Sequence, residues 1–396
     1  MFGYGFLAVV LVLYLDALGL SGGEVGLLLA LTLLGDAAVS LWLTTHADRI
    51  GRRRVLIAGA VLMLGAGLVF AATPVYVILV AAATIGVISP SGNEVGPFLA
   101  VEQASLSQLV DPAGRTSLFA RYQLAGSLAT AAGSLVAGAI TSASAGGGAA
   151  TADTYRVVII AYALVGIALA VLFARVSSAV EVPVAERTDP TIRSRLGLHK
   201  SQGVVLRLSA LFALDAFAGG FVMQSFIAFW FSVRFGVDPA VLGAIMFGAN
   251  IAAAASALAA GRLAGRFGLV NTMVFTHLPS NVLLMLVPLM PTLPLAVIVL
   301  LARFSISQMD VPTRQSYTMA IVEPDERSAA AGVTGIARSL GVSLSPLIAA
   351  PLFLGTAFAG VPFLIGGGLK VVYDLLLYRR FQALRPPEEQ AAPTPR

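Results

Sequence analysis

Five ionisable residues stand near the middle of long apolar segments, and these residues could do chemistry. They are Asp36, Glu94, Asp215, Arg303 and Arg338. Each would cost about 2.5–3.5 kcal/mol if it faced lipid at mid-bilayer depth, so we expect them to face one another or water. Buried carboxylates can exchange protons, and buried arginines can attract a carboxylated ligand or pair with acids. The sequence therefore predicts a hydrated central pathway.

A second set of polar residues lies nearer the ends of the apolar segments or is uncharged. Its members are Asp16, Glu102, Arg121, Asp310, Arg314, Gln224, Asn250, His277 and Asn281. Arg303 and Asp310 stand seven residues apart, and Asp310 and Arg314 stand four apart, so each pair shares a helix face. We interpret the lone His277 as a hydrogen-bonded structural residue rather than a proton relay.

Long apolar segments must position these side chains. The chain has 396 residues, of which 58% are hydrophobic and only 11% are charged, whereas soluble domains carry about 25% charged residues. Apolar runs long enough to cross a bilayer predict twelve membrane helices at 3–20, 25–46, 54–72, 75–109, 116–140, 155–175, 205–233, 240–263, 270–290, 293–321, 328–354 and 358–378. We therefore expect an all-α integral membrane protein.

The loops between these segments differ in charge, which predicts their orientation. Basic residues concentrate in alternate loops, above all in Arg49–Arg54, and basic loops stay on the cytoplasmic side. Both termini are therefore expected in the cytoplasm. We interpret the net charge of +5 as an orientation signal rather than as nucleic-acid binding. The chain has no Cys, which excludes disulfides and thiolate metal sites.

The chain divides into two similar halves. Gly26 and Gly51 are separated from Gly243 and Gly268 by the same interval, and a second block aligns Gln103 with Gln315. Such a repeat indicates two six-helix bundles with a site at their interface. The predicted organisation is an N-terminal bundle at 1–175, a cytoplasmic linker at 176–204, a C-terminal bundle at 205–380 and a disordered cytoplasmic tail at 381–396.

The fourth predicted segment is longer than a bilayer requires and carries a cluster of helix breakers. Pro90, Gly92, Gly96 and Pro97 lie within nine residues. Freed backbone groups survive at membrane depth only beside protein or a water-filled cavity, so Asn93-Glu94 is a candidate for a cavity lining. A structural kink satisfied by neighbouring helices is the alternative interpretation.

The loop after the second segment carries the most specific motif. Ala47, Asp48, Arg49, Gly51, Arg52 and Arg53 match the pattern Gly-x-Leu-Ala-Asp-Arg-x-Gly-Arg-Arg/Lys of the major facilitator superfamily, while Thr44 and His46 depart from it. The second half keeps Gly261, Leu263, Ala264, Arg266 and Gly268, with Gly265 in place of the Asp. The chain thus resembles this superfamily in architecture over its whole length.

The resemblance implies a secondary transporter that works by alternating access, with twelve helices in two pseudo-symmetric bundles. It implies that the first, fourth, seventh and tenth helices line the cavity, so that Asp215 could meet Arg303. It also implies gating or latch roles for Asp48, Arg49, Gly51, Arg52, Arg121, Arg266 and Arg338. An Asp36–Arg338 pair would then bridge the halves, and a Glu102–Arg121 pair would lie on the cytoplasmic side.

Two lists of candidate site residues follow from these arguments. The substrate-cavity candidates are Asn93, Glu94, Asp215, Gln224, Asn250, Asn281, Arg303 and Asp310. The proton-coupling candidates are Asp36, Glu94 and Glu102. The chain contains no phosphate-cradling Gly-x-x-x-x-Gly-Lys-Ser/Thr motif, so an ion gradient, with protons as the expected ion, would supply the energy.

We therefore expect a monomeric transporter of the bacterial inner membrane, in contact with the lipid bilayer, a small solute that could be anionic, and protons. No cofactor, metal or nucleic acid is expected. An enzyme embedded in the bilayer is a rival hypothesis, but the chain has three His and lacks His-Glu-x-x-His and Gly-x-Ser-x-Gly motifs. A membrane sensor or scaffold that transports nothing is the other rival.

Overall fold

The structure is a computed structural model. It describes residues 1–91, 96–109, 115–177, 180–181, 198–323, 326–355 and 358–384. At some positions within these ranges, including Asp48 and Arg49, only the backbone is described. Two of the cavity candidates, Asn93 and Glu94, lie outside the described residues.

Every regular element of the described residues is helical. The helices are α1 (Phe2–Ala17), α2 (Gly22–Ile50), α3 (Arg52–Ala72), α4 (Tyr76–Ile85), α5 (Gly96–Leu109), α6 (Arg115–Ala145), α7 (Ala152–Ala174), α8 (Gln202–Gly220), α9 (Gln224–Phe235), α10 (Pro239–Phe267), α11 (Leu269–Leu286), α12 (Leu293–Ser307), α13 (Asp310–Ala320), α14 (Arg327–Leu344), α15 (Pro346–Leu354) and α16 (Val361–Phe381). A short 3₁₀ turn at Val287–Leu289 follows α11. The all-helical part of the prediction is confirmed.

Ten helical segments of the described chain are long and apolar enough to cross a membrane. The segments predicted first and fourth are represented by two shorter apolar helices, α1 and α4. The protein is therefore a multi-pass membrane protein, while the number of twelve spans stays a prediction.

Four of the predicted membrane segments are interrupted. The fourth is divided into α4 and α5, and the tenth is divided into α12 and α13 at Gln308–Met309. When Gln103 is aligned with Gln315, the interruption at Gln308–Met309 falls on positions 96–97, where α5 begins, so the two interruptions are adjacent rather than aligned. The seventh segment is divided before α9 and the eleventh before α15. Interrupted helices in transporters lie where substrates and ions bind.

The chain forms two compact units. Unit 1 contains residues 1–190, 223–250 and 346–359, and unit 2 contains residues 191–222, 251–345 and 360–396. The predicted division into bundles at 1–175 and 205–380 stays a prediction.

Small residues allow close helix packing inside unit 1. A Cβ on Gly5 would lie 2.3 Å from the carbonyl oxygen of Thr130, and a Cβ on Gly138 would lie 3.0 Å from Cα of Gly243. Helices in lipid associate through such close backbone approach because apolar side chains gain little by leaving lipid. Glycine at these positions therefore lets α1 pack on α6, and α6 on α10.

Aromatic and aliphatic side chains form the core of unit 2 around α8, α11 and α16. The buried members of this cluster are Leu208, Phe212, Val270, Met273, Val274, Tyr317, Tyr373, Leu377 and Phe381. A Cβ on Gly341 would lie 2.3 Å from the carbonyl oxygen of Ala213, so α14 packs closely on α8. This packing places the polar residues of α8 among four neighbouring helices.

Carboxylates from distant segments cap two helix N-termini. Glu181 accepts hydrogen bonds from the backbone N–H groups of Arg52 (2.8 Å) and Arg53 (3.1 Å) at the start of α3. The buried Glu326 accepts from the N–H groups of His199, Lys200 (2.9 Å) and Ser201 (3.0 Å) before α8. Helix N-termini favour negative charge because their first N–H groups lack intrahelical partners.

Candidate functional site

One buried carboxylate holds together four helices of unit 2. Asp215 on α8 is 4% exposed. Its Oδ1 lies 2.6 Å from Nζ of Lys370 on α16, and its Oδ2 lies 2.9 Å from Nη1 of Arg314 on α13 and 3.2 Å from Nη1 of Arg338 on α14. We call Asp215, Arg314, Arg338 and Lys370 the Asp215 cluster. Charges at this depth are stable only when they are paired in this way.

A histidine–aspartate pair adjoins the Asp215 cluster. Nδ1 of His277 on α11 lies 2.8 Å from Oδ1 of Asp374 on α16. One turn along α11, the amide Nδ2 of Asn281 donates to Oδ2 of Asp374 at 2.9 Å. Nε2 of His277 lies 4.0 Å from Oδ1 of Asp215. The imidazole therefore lies between two carboxylates.

Asp310 opens α13 and pairs within its own helix. Its Oδ2 lies 3.1 Å from Nη1 of Arg314, four residues later. The guanidinium of Arg314 thus bridges Asp215 and Asp310, and its central carbon lies 5.5 Å from the ring centre of Phe212. This contact extends the Asp215 cluster to the interruption between α12 and α13.

Arg303 near the end of α12 differs in its partners from Arg314, the other buried arginine of unit 2, which pairs with two carboxylates. Its side chain is buried, its Nε has no hydrogen-bond partner, and no carboxylate of the described residues lies within ion-pair distance. The predicted partner Asp215 instead binds Lys370, Arg314 and Arg338. The guanidinium carbon of Arg303 lies 4.7 Å from the ring centre of Phe304, so an aromatic ring contacts it.

Gln224 and Asn250 form a separate, self-contained pair in unit 1. Nε2 of Gln224 at the start of α9 donates to Oδ1 of Asn250 on α10 at 3.0 Å. Nδ2 of Asn250 donates to the carbonyl oxygen of Met246 at 2.8 Å. Both side chains are buried. Their roles as cavity residues stay predictions.

The predicted latch loop contains a turn that requires glycine. Gly51 has φ +105°, and Gly268 at the corresponding position of the second half has φ +86°; side chains are disfavoured at such angles. Besides the contacts of its backbone, Arg52 donates from Nη1 to the carbonyl oxygen of Val180 at 3.3 Å. The side chains of Asp48 and Arg49 lie outside the described residues.

The remaining predicted residues lie on α2, α5, α6 and α10. Asp36 is half-buried on α2. Glu102 on α5 accepts a hydrogen bond from the hydroxyl of Tyr122, and Arg121 is exposed. Arg266 is exposed and stacks on the ring of Phe267. The pair of Glu102 with Arg121 stays a prediction.

Sequence reasoning overlooked two residues of the site, Lys370 and Asp374. They stand four apart on α16, so they lie on one helix face, within a segment that is apolar enough to cross a membrane. An acid and a base one turn apart in such a segment are a detectable signal. The side chain of His277 is hydrogen-bonded to Asp374, and its interpretation as a structural residue rather than a proton relay stays a prediction.

Comparison with known proteins decides the family. The family model described as Major Facilitator Superfamily matches residues 1–346 and 208–396, which together span the chain. The chain belongs to the major facilitator superfamily. The superfamily resemblance of the loop after α2 is thereby confirmed.

Relatives and solved structures agree with membership of this superfamily. The chain is 28% identical over 402 residues to the uncharacterized membrane protein YJR124C of Saccharomyces cerevisiae, covering 94% of this chain and 90% of that protein. Its fold resembles a D-xylose-proton symporter (TM-score 0.74, 17% identity, 96% and 94% of the two chains). It also resembles the nucleoside transporter NupG (TM-score 0.72, 14% identity, 96% of each chain). The superfamily fold supports a membrane transporter rather than an enzyme.

Proposed function

We propose that this protein is a secondary active transporter that moves a small solute across the membrane by alternating access and couples this movement to protons. The observation that carries the proposal is the buried Asp215 cluster with its adjoining His277–Asp374 pair. Burying several charged side chains within membrane helices costs free energy, so such residues mark pathways for substrates, ions or protons. A structural likeness to a D-xylose-proton symporter supports the same class.

The carboxylate of Asp374 is the group of this site that can take up a proton. Asp215 lies within 3.2 Å of three cations, which favour its ionised form, whereas Asp374 pairs with the imidazole of His277. Protonation of Asp374 would weaken its contacts with His277 and Asn281 on α11 and would loosen α16 from α11, so that proton uptake is converted into helix movement. Asp36, Glu94 and Glu102 stay proposed proton carriers of the first half.

The finer points of architecture and location belong to the same proposal. We propose twelve spans in two pseudo-symmetric six-helix bundles, because α1 and α4 are apolar and the fourth and tenth segments are both interrupted. We also propose the bacterial inner membrane with both termini in the cytoplasm, supported by the basic loops. The proposed solute-binding residues of the second half include Gln224, Asn250 and Asn281.

Transport measurements on the purified protein test this proposal. Proteoliposomes on a solid-supported membrane would be exposed to sugars, nucleosides, amino acids and monocarboxylates under an imposed pH gradient. We expect at least one solute to produce a current that an uncoupler abolishes and that Asp374→Asn reduces at least tenfold. A solute that stabilises the protein but is not moved would contradict transport and favour a sensor.

A further inference from the structure

Arg303 is a buried cation that forms no ion pair with any carboxylate among the described residues of unit 2. It is 8% exposed, and its Nε is buried without a hydrogen-bond partner. Asp310 is the carboxylate that acts on it electrostatically, but Asp310 is engaged by Arg314 at 3.1 Å. A buried charge without a partner is costly, so its presence calls for a ligand of opposite sign.

The charges around Arg303 give the sign and size of this ligand. In the described membrane segments of unit 2, the buried carboxylates Asp215, Asp310 and Asp374 face the cations Arg314, Arg338 and Lys370 and the imidazole His277. The three carboxylates balance the three cations, and Arg303 adds one positive charge in excess, which a singly charged anion would neutralise.

A second donor without a partner lies on the same helix face. Ser307 follows Arg303 by one turn, is 5% exposed, and its hydroxyl is buried without a hydrogen-bond partner. Residues four apart on a helix are neighbours. Both stand at the end of α12, directly before the interruption at Gln308–Met309, the kind of place where transporter ligands bind.

We propose that Arg303 and Ser307 form an anion subsite that binds the carboxylate of a small singly charged organic acid, an inference that rests on the proposed transport function. The planar guanidinium offers two parallel N–H donors that match a carboxylate, and the serine hydroxyl adds a third. A single excess charge favours a monocarboxylate over a phosphate ester, which carries nearly two charges at neutral pH. Arg338 is excluded from this role because it already pairs with Asp215.

Stability without ligand gives the first test. Arg303→Met should leave the melting temperature of the purified full-length protein unchanged or raise it, because the substitution removes an uncompensated buried charge. Arg314→Met should lower it, because Asp215 and Asp310 then lose a shared partner. A loss of stability in Arg303→Met as large as that in Arg314→Met would overturn the inference, since Arg303 would then be a structural residue.

Ligand-dependent stability gives the second test. The probes are sodium acetate, lactate and benzoate, with sodium chloride at equal ionic strength and uncharged benzamide as controls. At least one carboxylate should raise the melting temperature by several degrees beyond chloride and benzamide. The shift should vanish in Arg303→Met and need about tenfold more anion in Ser307→Ala. The exposed Arg262 on α10 provides the matched control, Arg262→Met, which should keep the full shift.

Equal shifts in the wild type and in Arg303→Met, or no shift above chloride in the wild type, would reject the anion subsite. These measurements can reject the transport function and the anion subsite independently of each other. Proton-driven transport of an uncharged solute that persists in Arg303→Met would leave the transport function standing without the anion subsite. Carboxylate binding that depends on Arg303 without any flux would leave the subsite standing and reject transport.

Discussion

At the scale of single residues, the site depends on how buried charges share partners. The sequence predicts which side chains are buried and which share a helix face, so Asp215, Arg303 and Asp310 were recognisable candidates. It does not specify which helices are neighbours, and Asp215 therefore binds Lys370, Arg314 and Arg338 rather than the predicted Arg303. Partner choice across helices depends on packing that spacing along one helix does not encode.

Loss of the central carboxylate should destabilise the protein strongly. Asp215→Asn leaves three cations without their anion, so we expect a loss of about 3–5 kcal/mol in the free energy of unfolding, measured by denaturant titration in detergent. Adding Lys370→Met to this variant should restore part of the loss, which a double-mutant cycle quantifies. The exposed Asp153, paired only with Arg156 on its own helix, is the control, and Asp153→Asn should change stability by less than about 1 kcal/mol. Similar effects of the two variants would contradict the central role of Asp215.

The cap on α8 should make stability depend on pH. Backbone N–H groups of His199, Lys200 and Ser201 and the hydroxyl of Ser201 lower the pKa of Glu326 from 4.5 to about 2. A lowered folded-state pKa adds stability that is complete above about pH 4.5 and is lost as pH falls toward about 2. Glu326→Gln should therefore lower the melting temperature at pH 7, and its difference from the wild type should shrink below pH 4.5.

The neighbouring Glu323 provides the control for this measurement. It is partly exposed and lies 3.5 Å from Nζ of Lys200, so Glu323→Gln should have a much smaller effect at every pH. A constant difference between Glu326→Gln and the wild type from pH 7 to pH 3 would show that the cap does not act through the ionised carboxylate.

At the scale of elements, the helices follow the apolar runs, but their interruptions follow local chemistry. The interruption before α5 contains Pro90, from which the sequence predicts a break. Pro346 has no backbone N–H to donate to the carbonyl of Val342, which accounts for the division between α14 and α15, although Ser345 before it keeps helical angles. The division at Phe221–Met223 has no proline, but it directly follows Gly219 and Gly220, and glycine has a low helix propensity. Such breaks are therefore only partly predictable.

The turn between α2 and α3 should tolerate only glycine. Gly51→Ala forces a side chain into φ +105° and places its Cβ 3.3 Å from the carboxylate of Glu181. We expect a loss of about 1–3 kcal/mol, measured by unfolding in detergent. Gly65 within α3 has open space around it, so Gly65→Ala should instead stabilise by about 0.5–1 kcal/mol. Equal behaviour of the two variants would contradict the requirement for glycine.

At the scale of the whole molecule, a polar contact in unit 1 joins segments that are distant in sequence. The hydroxyl of Ser142 at the end of α6 donates to Oδ1 of Asp238 before α10 at 2.8 Å. The close approach of Gly138 and Gly243 lies one turn further into the same helices. An alternating-access cycle that separates α6 from α10 at this end must break the contact between Ser142 and Asp238. A sensor with a single conformation would keep this contact intact.

A disulfide across this junction should stop transport. The chain has no native Cys, so the pair Ser142→Cys and Asp238→Cys reports on this contact alone. We expect oxidation to abolish the proton-driven current and a reducing agent to restore it. The Ser142→Cys single variant, treated identically, should keep its current. A cross-linked protein that still transports at the full rate would show that this junction stays closed throughout the cycle.

The two carboxylate caps have a consequence for the connection between the halves. Glu181 is tied to the start of α3, and residues 199–201 are tied to Glu326. The chain between Glu181 and His199 can span about 65 Å at most when fully extended, and this length limits the distance between the two capped helix starts. Loss of either cap by mutation would lengthen the connection without adding a residue.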